Sequence, residues 1–373
     1  MTGDGPLARL AGQGVSIWLD ALSRDMLDSG SLARLADHRH VTGVTSNPAI
    51  FEQAIGGSRA YAGQVRDLAI RGIPAGEAAR LLTAYDVSWA CDMLREIYDR
   101  TDGLDGRVSI EVDPRAAADT ARTVAEARAL HGLVERPNVM VKVPATVAGL
   151  AAITRATAEG ISINVTLIFG LDRYEQVMDA FMTGLETAAD AGLDLSGIRS
   201  VASFFVSRVD TETDARLEVI GTRAALALRG QAAIANARLA YQRYQAVIRS
   251  ERWQRLEALG ARRQRPLWAS TGVKNPAYPD TQYVTTLVAP DTVSTMPEVT
   301  LDAVADHGKI TGDTVTAAYN DATRVMTGLA AAGVDYDDVV ALLEREGVAK
   351  FTDAWTRLLG RLDQALEAAR SGE

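Results

Sequence analysis

Lys142 is the only charged residue in a short, mainly apolar segment, residues 138–144. An apolar run of this length that ends at proline is typical of a buried strand in a parallel sheet. Burial disfavours the ammonium group and so favours the neutral amine, which is the form that attacks a carbonyl carbon. The alternative is a lysine at a strand end that reaches water or pairs with a carboxylate. The segment therefore makes Lys142 a candidate for covalent catalysis.

Four other predicted strands alternate polar and apolar residues. Successive side chains of a strand point to opposite faces, so one face packs against helices and the other lines a polar space. Helical segments separate these strands, which favours a parallel sheet of βαβ units over an antiparallel sheet with a solvent-exposed face. The residues assigned to the polar faces are Ser16, Trp18 and Asp20; Ser109, Glu111 and Asp113; Ser162, Asn164 and Thr166; and Trp268 and Ser270.

The order of these elements predicts an α/β fold, a single (β/α)₈ TIM barrel over residues 1–373 with additional helices. In such a barrel the polar side chains point inward, and the carboxyl ends of the strands form the mouth of the active site. Helical segments from about residue 312 to 373 form a C-terminal extension, whose last helix is expected to pack near that mouth. The eight predicted strands lie near residues 15–20, 41–45, 107–112, 139–143, 161–165, 200–205, 266–270 and 283–288.

Charge and composition narrow the classes of partner. The chain has 373 residues and a formal net charge of −9, which disfavours nucleic acids and anionic membranes as general partners. No apolar run approaches the length of a membrane span, and the segment MTGDGPLARL lacks the regions of a signal peptide, so a cytoplasmic location is expected. Cys91 is the only cysteine, which suits a reducing compartment and precludes an intramolecular disulfide.

Metal and nucleotide chemistry is disfavoured by the same sequence. The histidines do not lie at predicted strand ends, and none has a partner at the spacing of a metal site. The chain also lacks a glycine-rich nucleotide-binding loop. The sequence therefore predicts no metal. The four histidines are His38, His40, His131 and His307.

Five short segments of the sequence are GVTSNP at 43–48, SIEVD at 109–113, VMVKVP at 139–144, GISINVT at 160–166 and SFFVSR at 203–208. Together they resemble the transaldolase family. Each ends a predicted strand, and the resemblance extends from about residue 20 to residue 270, then continues more weakly to the last helix. It implies a (β/α)₈ enzyme that moves a dihydroxyacetone unit between sugar phosphates through a lysine Schiff base, without a metal or an organic cofactor.

Four residues match the catalytic positions of that family. Lys142 matches the lysine of the Schiff base, Glu111 the carboxylate that works through a water molecule as general acid and base, and Thr166 the residue that positions this water. Asp20 matches the acid that takes the proton of the substrate hydroxyl when the C3–C4 bond breaks. By residue type alone, Glu111 could instead form an ion pair with Lys142, and Thr166 could reflect strand propensity. Asp20 could instead cap a helix that begins near Ala21.

Four further residues match positions that contact the sugar. Asn47 and Asn164 match residues that bind substrate hydroxyls and the nucleophilic intermediate, and Ser203 and Phe205 match residues that line the pocket. By residue type alone, Asn47 before a proline is also typical of a plain turn. The commoner role of a phenylalanine in a strand is core packing.

The substrate phosphate is expected to bind positive side chains that follow late strands. Arg208 matches a phosphate-binding arginine, for which the competing interpretation is a surface ion pair with Asp210. The family's best-known branch carries a second arginine two residues after the serine that matches Ser270, where this chain has Gly272. Lys274 is the expected substitute, and the difference indicates a longer, divergent branch.

The resemblance implies transaldolase activity in the non-oxidative pentose phosphate pathway. The donor would be sedoheptulose 7-phosphate or fructose 6-phosphate, and the acceptor glyceraldehyde 3-phosphate or erythrose 4-phosphate. Three alternatives stay open: a fructose-6-phosphate aldolase type of activity with free dihydroxyacetone, a lysine imine with pyridoxal phosphate, and a catalytically silent barrel that binds sugar phosphates. Sugar phosphates are the expected partners, and the sequence is compatible with a monomer or a homodimer.

Overall fold

Eight parallel strands form a closed barrel in the computed structural model, which describes residues 5–371. The strands are β1 (Val15–Leu19), β2 (Val41–Val44), β3 (Arg107–Glu111), β4 (Val139–Pro144), β5 (Ile163–Ile168), β6 (Ser200–Phe205), β7 (Gln264–Ala269) and β8 (Thr292–Met296). Neighbours in the chain are neighbours in the barrel, and β1 pairs with β8 to close it. The predicted (β/α)₈ barrel is thus confirmed.

Helices connect the strands and surround the barrel. The α-helices are α1 (Pro6–Gly12), α2 (Arg24–Asp28), α3 (Ser31–Arg39), α4 (Pro48–Gly57), α5 (Ala62–Ile70), α6 (Ala75–Met93), α7 (Arg95–Arg100), α8 (Thr120–Val134), α9 (Val147–Ala158), α10 (Leu171–Asp190), α11 (Ser207–Ile220), α12 (Arg223–Leu226), α13 (Ala232–Ile248), α14 (Glu251–Ala258), α15 (Gln282–Thr285), α16 (Glu298–His307), α17 (Tyr319–Ala332) and α18 (Tyr336–Ser371). Over the described residues, no helix is both long and apolar enough to cross a membrane.

The strand register sets the polar residues of the barrel interior in rows. Glu111 pairs with Lys142, and Lys142 pairs with Asn164, so these three side chains point to the same face of neighbouring strands. Nearer the amino ends of the strands, the indole of Trp18 fills the interior and is fully buried. Gly43 on β2 leaves room for it, because a Cβ there would lie 2.5 Å from the indole ring.

The eighth strand lies later in the chain than predicted. Residues 283–288 have the apolar composition of a strand, but they fall on α15 and the turn that follows it. The prediction of a strand there was wrong. The true eighth strand, β8, is buried along its whole length although three of its five residues are serine or threonine. Thr295, for example, shares a hydrogen bond of 2.7 Å with Thr45 instead of facing solvent.

The polar face predicted for the seventh strand was also wrong. Trp268 pairs with Phe204, and these two rings meet edge to face on the outside of the barrel, where Tyr174 of α10 contacts Phe204. The indole N–H of Trp268 donates to the carbonyl of Leu287 at 3.0 Å. Leu267, one position earlier, therefore faces the interior.

The long C-terminal helix α18 packs at the carboxyl end of the barrel, as predicted. It contacts α4, α5, α6, α11 and β5. At Gly347 the helix approaches the end of β5 so closely that a Cβ would lie 3.0 Å from the side chain of Leu167. The predicted single domain of residues 1–373 includes 1–4 and 372–373, which lie outside the described residues, and that domain assignment stays a prediction.

Candidate active site

Lys142 is buried in β4, with only 4% of its surface exposed. Its Nζ donates a hydrogen bond of 3.1 Å to the carbonyl of Ser46, in the loop between β2 and α4. The same atom lies 3.4 Å from Oε2 of Glu111 and 5.7 Å from the centre of the Phe351 ring on α18. Three separate elements therefore fix the position of the amine, so it is held ready for a reaction partner rather than mobile in solvent.

Glu111 ends β3, and its side chain is 5% exposed. Burial raises the pKa of this carboxyl to about 7, the charge of Lys142 opposes the rise, and the charge of Asp20 adds to it. The ion pair with Lys142, which was the competing interpretation, is present at 3.4 Å. A carboxyl with a pKa near 7 also exchanges protons readily at neutral pH, so the ion pair and a role in proton transfer are compatible.

Asp20 follows β1 directly, at the carboxyl end of the barrel. Its Oδ1 accepts a hydrogen bond of 2.8 Å from the hydroxyl of Thr45. The residue that caps α2 is Ser23, whose hydroxyl accepts from the N–H of Met26 at 3.2 Å. The alternative role of Asp20 as a helix cap was therefore wrong. Its effect on the pKa of Glu111 indicates that the two carboxyl groups share the mouth.

Asn164 lies between two hydroxyl groups inside the barrel. Its Nδ2 donates to Ser109 at 2.9 Å, and its Oδ1 accepts from Ser203 at 2.7 Å. All three residues are buried, and their bonds join β3, β5 and β6 across the interior. The bonds hold the amide in one orientation beside Lys142, its neighbour in the strand register.

Thr166, two residues after Asn164 on β5, is fully buried. Its hydroxyl has no hydrogen-bond partner within the described part of the chain. It pairs with Pro144, the last residue of β4, so it lies one step closer to the mouth than Lys142. Buried hydroxyl groups normally have partners, so a free one at this place is suited to hold a water molecule or a substrate hydroxyl.

Asn47 caps a helix instead of forming a plain turn. Its Oδ1 accepts hydrogen bonds from the N–H groups of Ala49 and Ile50, at 3.0 and 3.1 Å, at the start of α4. This cap leaves the NH₂ end of the same amide without a protein partner among residues 5–371. Asn47 directly follows Ser46, whose carbonyl accepts a hydrogen bond from Lys142.

Arg208, at the start of α11, carries a guanidinium that no carboxylate pairs with in the described residues. It lies 5.3 Å from the centre of the Phe205 ring, and its Nη1 has no hydrogen-bond partner. Burial lowers the pKa of Arg208, and the charge of Asp20 opposes this shift. The alternative ion pair with Asp210 was wrong, because Asp210 instead accepts from the hydroxyl of Tyr283 at 2.7 Å.

Ser270 and Lys274 follow β7 and lie in different environments. Ser270 adopts a φ of +57°, and its Oγ lies 3.0 Å from the hydroxyl of Ser207, the residue before Arg208. Lys274 is exposed, with its Nζ about 4.0 Å from the place that a Cβ of Gly272 would occupy. Over the described residues no hydrogen bond or ion pair joins Lys274 to the other predicted site residues, and it is the one exposed member of the set.

Two contacts of the amine were not predicted from the sequence. The carbonyl of Ser46 carries no signal in the sequence, because every residue has one. Phe351 lies on the buried face of α18, where the amphipathic pattern indicates burial but not the partner. Only the distance from this helix to β4 identifies Phe351 as a residue of the site.

The described residues contain no group of three or more His, Cys, Asp or Glu side chains placed to hold a metal ion. The absence of a metal and of an organic cofactor stays a prediction. What the site does contain is a buried primary amine, a carboxyl with a pKa near 7, a second carboxylate and an unpaired guanidinium. This set is suited to imine chemistry on a carbonyl compound that carries a negative group.

Comparisons with known proteins agree with this chemistry. The model of the transaldolase/fructose-6-phosphate aldolase family matches residues 17–362. The chain is 62% identical to a transaldolase of Thermobifida fusca, over 97% of this chain and 99% of that protein. It is 61% identical to a transaldolase of Acidothermus cellulolyticus, over 98% of each chain. It is 58% identical to transaldolase 1 of Streptomyces coelicolor, over 98% of this chain and 96% of that protein.

Proposed function

This chain belongs to the transaldolase/fructose-6-phosphate aldolase family, and we propose that it is a transaldolase whose covalent intermediate forms on Lys142. The observation that carries the proposal is the position of the buried amine, 3.4 Å from a carboxyl group with a pKa of about 7. The full-length relatives at about 60% identity support the reaction class, which is the transfer of a ketone unit.

Imine formation begins when Nζ of Lys142 attacks the C2 carbonyl of a ketose phosphate. The resulting carbinolamine loses water, and a proton must reach the departing oxygen. Glu111 can supply and later recover this proton through a water molecule, because its pKa of about 7 lets it exist in both forms at neutral pH. The free hydroxyl of Thr166 is suited to hold that water.

The C3–C4 bond breaks next, because the positively charged iminium can accept the electron pair of that bond. Asp20 takes the proton of the C4 hydroxyl, the C3–C4 electron pair moves toward the iminium, and an aldose phosphate leaves. The enamine on Lys142 then attacks the aldehyde carbon of an acceptor, the proton returns, and water releases the product from the lysine. Asn47 and Asn164 are suited to bind the hydroxyl groups of the three-carbon unit, because each has an amide held in one orientation.

The phosphate end of the substrate binds Arg208. Its guanidinium is half-buried, unpaired and stacked near Phe205, and a planar guanidinium can bind two phosphate oxygens at once. Ser270 contacts Ser207, the residue before Arg208, and the exposed Lys274 contributes a further positive charge. The donors are sedoheptulose 7-phosphate or fructose 6-phosphate, with glyceraldehyde 3-phosphate or erythrose 4-phosphate as acceptor, as in the non-oxidative pentose phosphate pathway.

An aldolase that releases free dihydroxyacetone is the nearest alternative, because the family includes both activities. The relatives compared above all carry the name transaldolase, which favours transfer. Product analysis of fructose 6-phosphate turnover separates the two. A transaldolase forms sedoheptulose 7-phosphate only when erythrose 4-phosphate is added and releases little free dihydroxyacetone. Steady release of dihydroxyacetone without an acceptor would contradict the proposal.

Trapping of the imine tests the covalent intermediate directly. Borohydride added with fructose 6-phosphate should reduce the adduct and inactivate the enzyme, and peptide mapping should identify the modified residue as Lys142. The chain has only four lysines, and Lys274, Lys309 and Lys350 are all exposed. The absence of any adduct would instead support a silent sugar-phosphate-binding barrel. A visible absorption band of the purified protein would indicate pyridoxal phosphate on the lysine.

A cytoplasmic location fits this role, because sugar phosphates are metabolites of that compartment. The single cysteine, Cys91, is buried, and burial raises the pKa of its thiol, so it is a poor nucleophile and supports no disulfide within the chain.

A further inference from the structure

The amino-terminal end of the barrel, opposite the mouth, contains a cavity of about 530 Å³ lined by arginines. Arg107 begins β3, Arg199 immediately precedes β6, and Arg265 is the second residue of β7. Arg262 and Arg263, from the loop between α14 and β7, line the same cavity. Five guanidinium groups from three separate parts of the chain therefore surround one space.

Negative charges around this cavity are fewer than the positive ones. Asp102 is shared by Arg199 and Arg262, at 3.6 and 2.9 Å. No carboxylate of residues 5–371 forms an ion pair with Arg107, whose Nε donates to the carbonyl of Gly103 at 2.8 Å. The remaining ion pairs join Arg263 to Glu257 and Asp291, and Arg265 to Asp105. Five guanidinium groups thus face four carboxylates.

Two of these arginines are buried beside the cavity, and one of them has a nitrogen without an acceptor. Arg107 is 1% exposed and Arg199 is 8% exposed. Over the described residues, Nη1 of Arg199 has no hydrogen-bond partner. The pKa of Arg107 is lowered to about 10, first by burial and further by the charges of Arg199 and Arg265. Buried cations are normally paired, so an anion in the cavity would supply the missing charge.

A purely structural role explains part of this arrangement. Arg199 donates to the carbonyls of Asp102 and Gly103, and Arg265 donates to the carbonyl of Leu104 at 2.7 Å. These bonds hold the loop between α7 and β3 against the barrel. The acceptors are neutral carbonyl groups, however, so they leave the excess of positive charge uncompensated. The loop contacts also leave the cavity itself unfilled by side chains.

We infer that this cavity is a second binding site, for a small anion that carries one or two phosphate groups. Guanidinium groups that converge from several directions match the several oxygens of a tetrahedral phosphate better than the two oxygens of a planar carboxylate. The volume of about 530 Å³ suits a small metabolite. Met140 lines the cavity and lies two residues before Lys142 on β4, so the barrel interior separates this site from the candidate active site.

Isothermal titration with inorganic pyrophosphate tests the inference. The titration uses the full chain with Arg208→Ala, because this substitution removes the guanidinium proposed to bind phosphate at the mouth. We expect saturable binding that weakens as salt is raised. A parallel titration with inorganic phosphate measures the contribution of the second phosphate group, and binding of either anion supports the site.

Three further substitutions locate the binding. Arg199→Gln should weaken pyrophosphate binding about tenfold, the loss expected for one charge-assisted hydrogen bond. Glu257→Gln removes a negative charge from the cavity and should tighten binding about threefold. Arg128→Gln is the matched control, because this exposed arginine pairs with Glu159 outside the cavity and its loss should leave binding unchanged. Arg262→Gln, at a half-exposed side chain, replaces Arg199→Gln if that variant does not fold.

Opposite effects of the arginine and glutamate substitutions would be hard to obtain from a nonspecific anion effect or from loss of structure. Absence of saturable binding of both anions would overturn the inference. The same conclusion would follow if Glu257→Gln and the cavity arginine variants bound pyrophosphate with the affinity of Arg128→Gln.

Discussion

The two ends of the barrel bury charged groups in different ways. At the mouth, Lys142 and Glu111 share one loose ion pair of 3.4 Å, and the guanidinium of Arg208 has no carboxylate partner in the described residues. At the amino-terminal end, the carboxylate of Asp105 accepts from Ser16 at 2.6 Å, and also from Trp18 and Arg265. Groups with satisfied partners, such as Asp105, support the fold. Buried groups without them, such as Arg208 at the mouth and Arg199 in the amino-terminal cavity, lie where a ligand is expected to bind.

The largest expected effect is at the mouth. Lys142→Ala removes the one buried lysine of the described residues and should abolish both turnover and borohydride trapping, because the other three lysines are exposed. Radiolabelled substrate with borohydride measures the trapping, and Lys309→Ala, at an exposed lysine, is the control that should retain both. An adduct that persists in Lys142→Ala and maps to Lys274 would contradict the mechanism.

Asp20→Asn should slow C–C cleavage by about 10²–10⁴-fold, because an amide cannot accept the proton of the substrate hydroxyl. Stability should change little, since the amide oxygen of the variant can still accept the hydrogen bond from Thr45 and Ser23 caps the next helix. Single-turnover experiments should show normal imine formation on Lys142 and slow release of the aldose. If cleavage proceeds at the wild-type rate while the imine forms normally, another group is the base.

Much of the mouth could be predicted from the sequence because β3 and the first part of β5 place polar residues at every second position and β4 contains a single charged residue. Asn164 and Lys142 stand out as polar residues in apolar segments, and their register follows from that pattern. The eighth strand could not be found in this way, because β8 buries threonine on both faces, where Thr292 and Thr295 form hydrogen bonds. In β7 the alternating pattern predicts that Trp268 lies on the polar face. Its indole N–H instead donates to the carbonyl of Leu287, and its ring packs outside the barrel.

The amino-terminal cavity was not predicted, although the sequence carries a signal for it. Arg107, Arg199 and Arg265 each lie at or next to the start of a strand, where a parallel barrel brings strand beginnings together. The charges of the loops that face them depend on tertiary contacts, as with Asp102, so the excess of positive charge becomes visible only in the structure.

Glu111→Gln should slow imine formation by about 10²-fold while substrate binding is retained, because the amide cannot transfer a proton. The free energy of unfolding of the wild type should also depend on pH, because Glu111 titrates differently in the folded and unfolded states. The pKa of Glu111 is raised to about 7, so the folded state holds this proton more tightly than the unfolded chain. That stabilising difference is complete below about pH 4.3, the range of an unperturbed glutamate, and is lost as pH rises through the folded-state pKa.

Urea unfolding of the wild type and Glu111→Gln between pH 4.5 and 7.5 measures this dependence. Relative to the variant, the wild type should lose stability as pH rises, by on the order of 3 kcal/mol in total. Two parallel curves would show that Glu111 titrates alike in the folded and unfolded states. Normal single-turnover imine formation in the variant would refute the proton relay.

At the opposite end, Asp105→Asn should destabilise the fold by about 3 kcal/mol, because it leaves the buried guanidinium of Arg265 without its carboxylate. The rate per folded molecule should stay near that of the wild type, since the residue lies away from the mouth. Asp99→Asn is the control, because Asp99 pairs with Arg95 at the surface and its loss should cost less than about 1 kcal/mol. A large loss of kcat in folded Asp105→Asn would contradict the inference that Asp105 stabilises the fold and takes no part in the reaction at the mouth.

The smallest expected effects on activity concern the two side chains proposed to bind phosphate, Arg208 and Lys274, and they should differ in size. Arg208→Ala should lower kcat/KM for phosphorylated donors by about 10–100-fold, the value of one or two hydrogen bonds between charged groups. Lys274→Ala should lower it only about threefold, because an exposed ammonium is largely hydrated and its interaction with phosphate is screened. Transfer from free dihydroxyacetone to an acceptor without phosphate, such as glyceraldehyde, should change little in either variant, since neither reactant carries a phosphate to bind. An equal loss with both kinds of donor in Lys274→Ala would remove this residue from the phosphate site. Arg208, whose guanidinium has no carboxylate partner in the described residues, would then be the one positive side chain proposed to bind that end of the substrate.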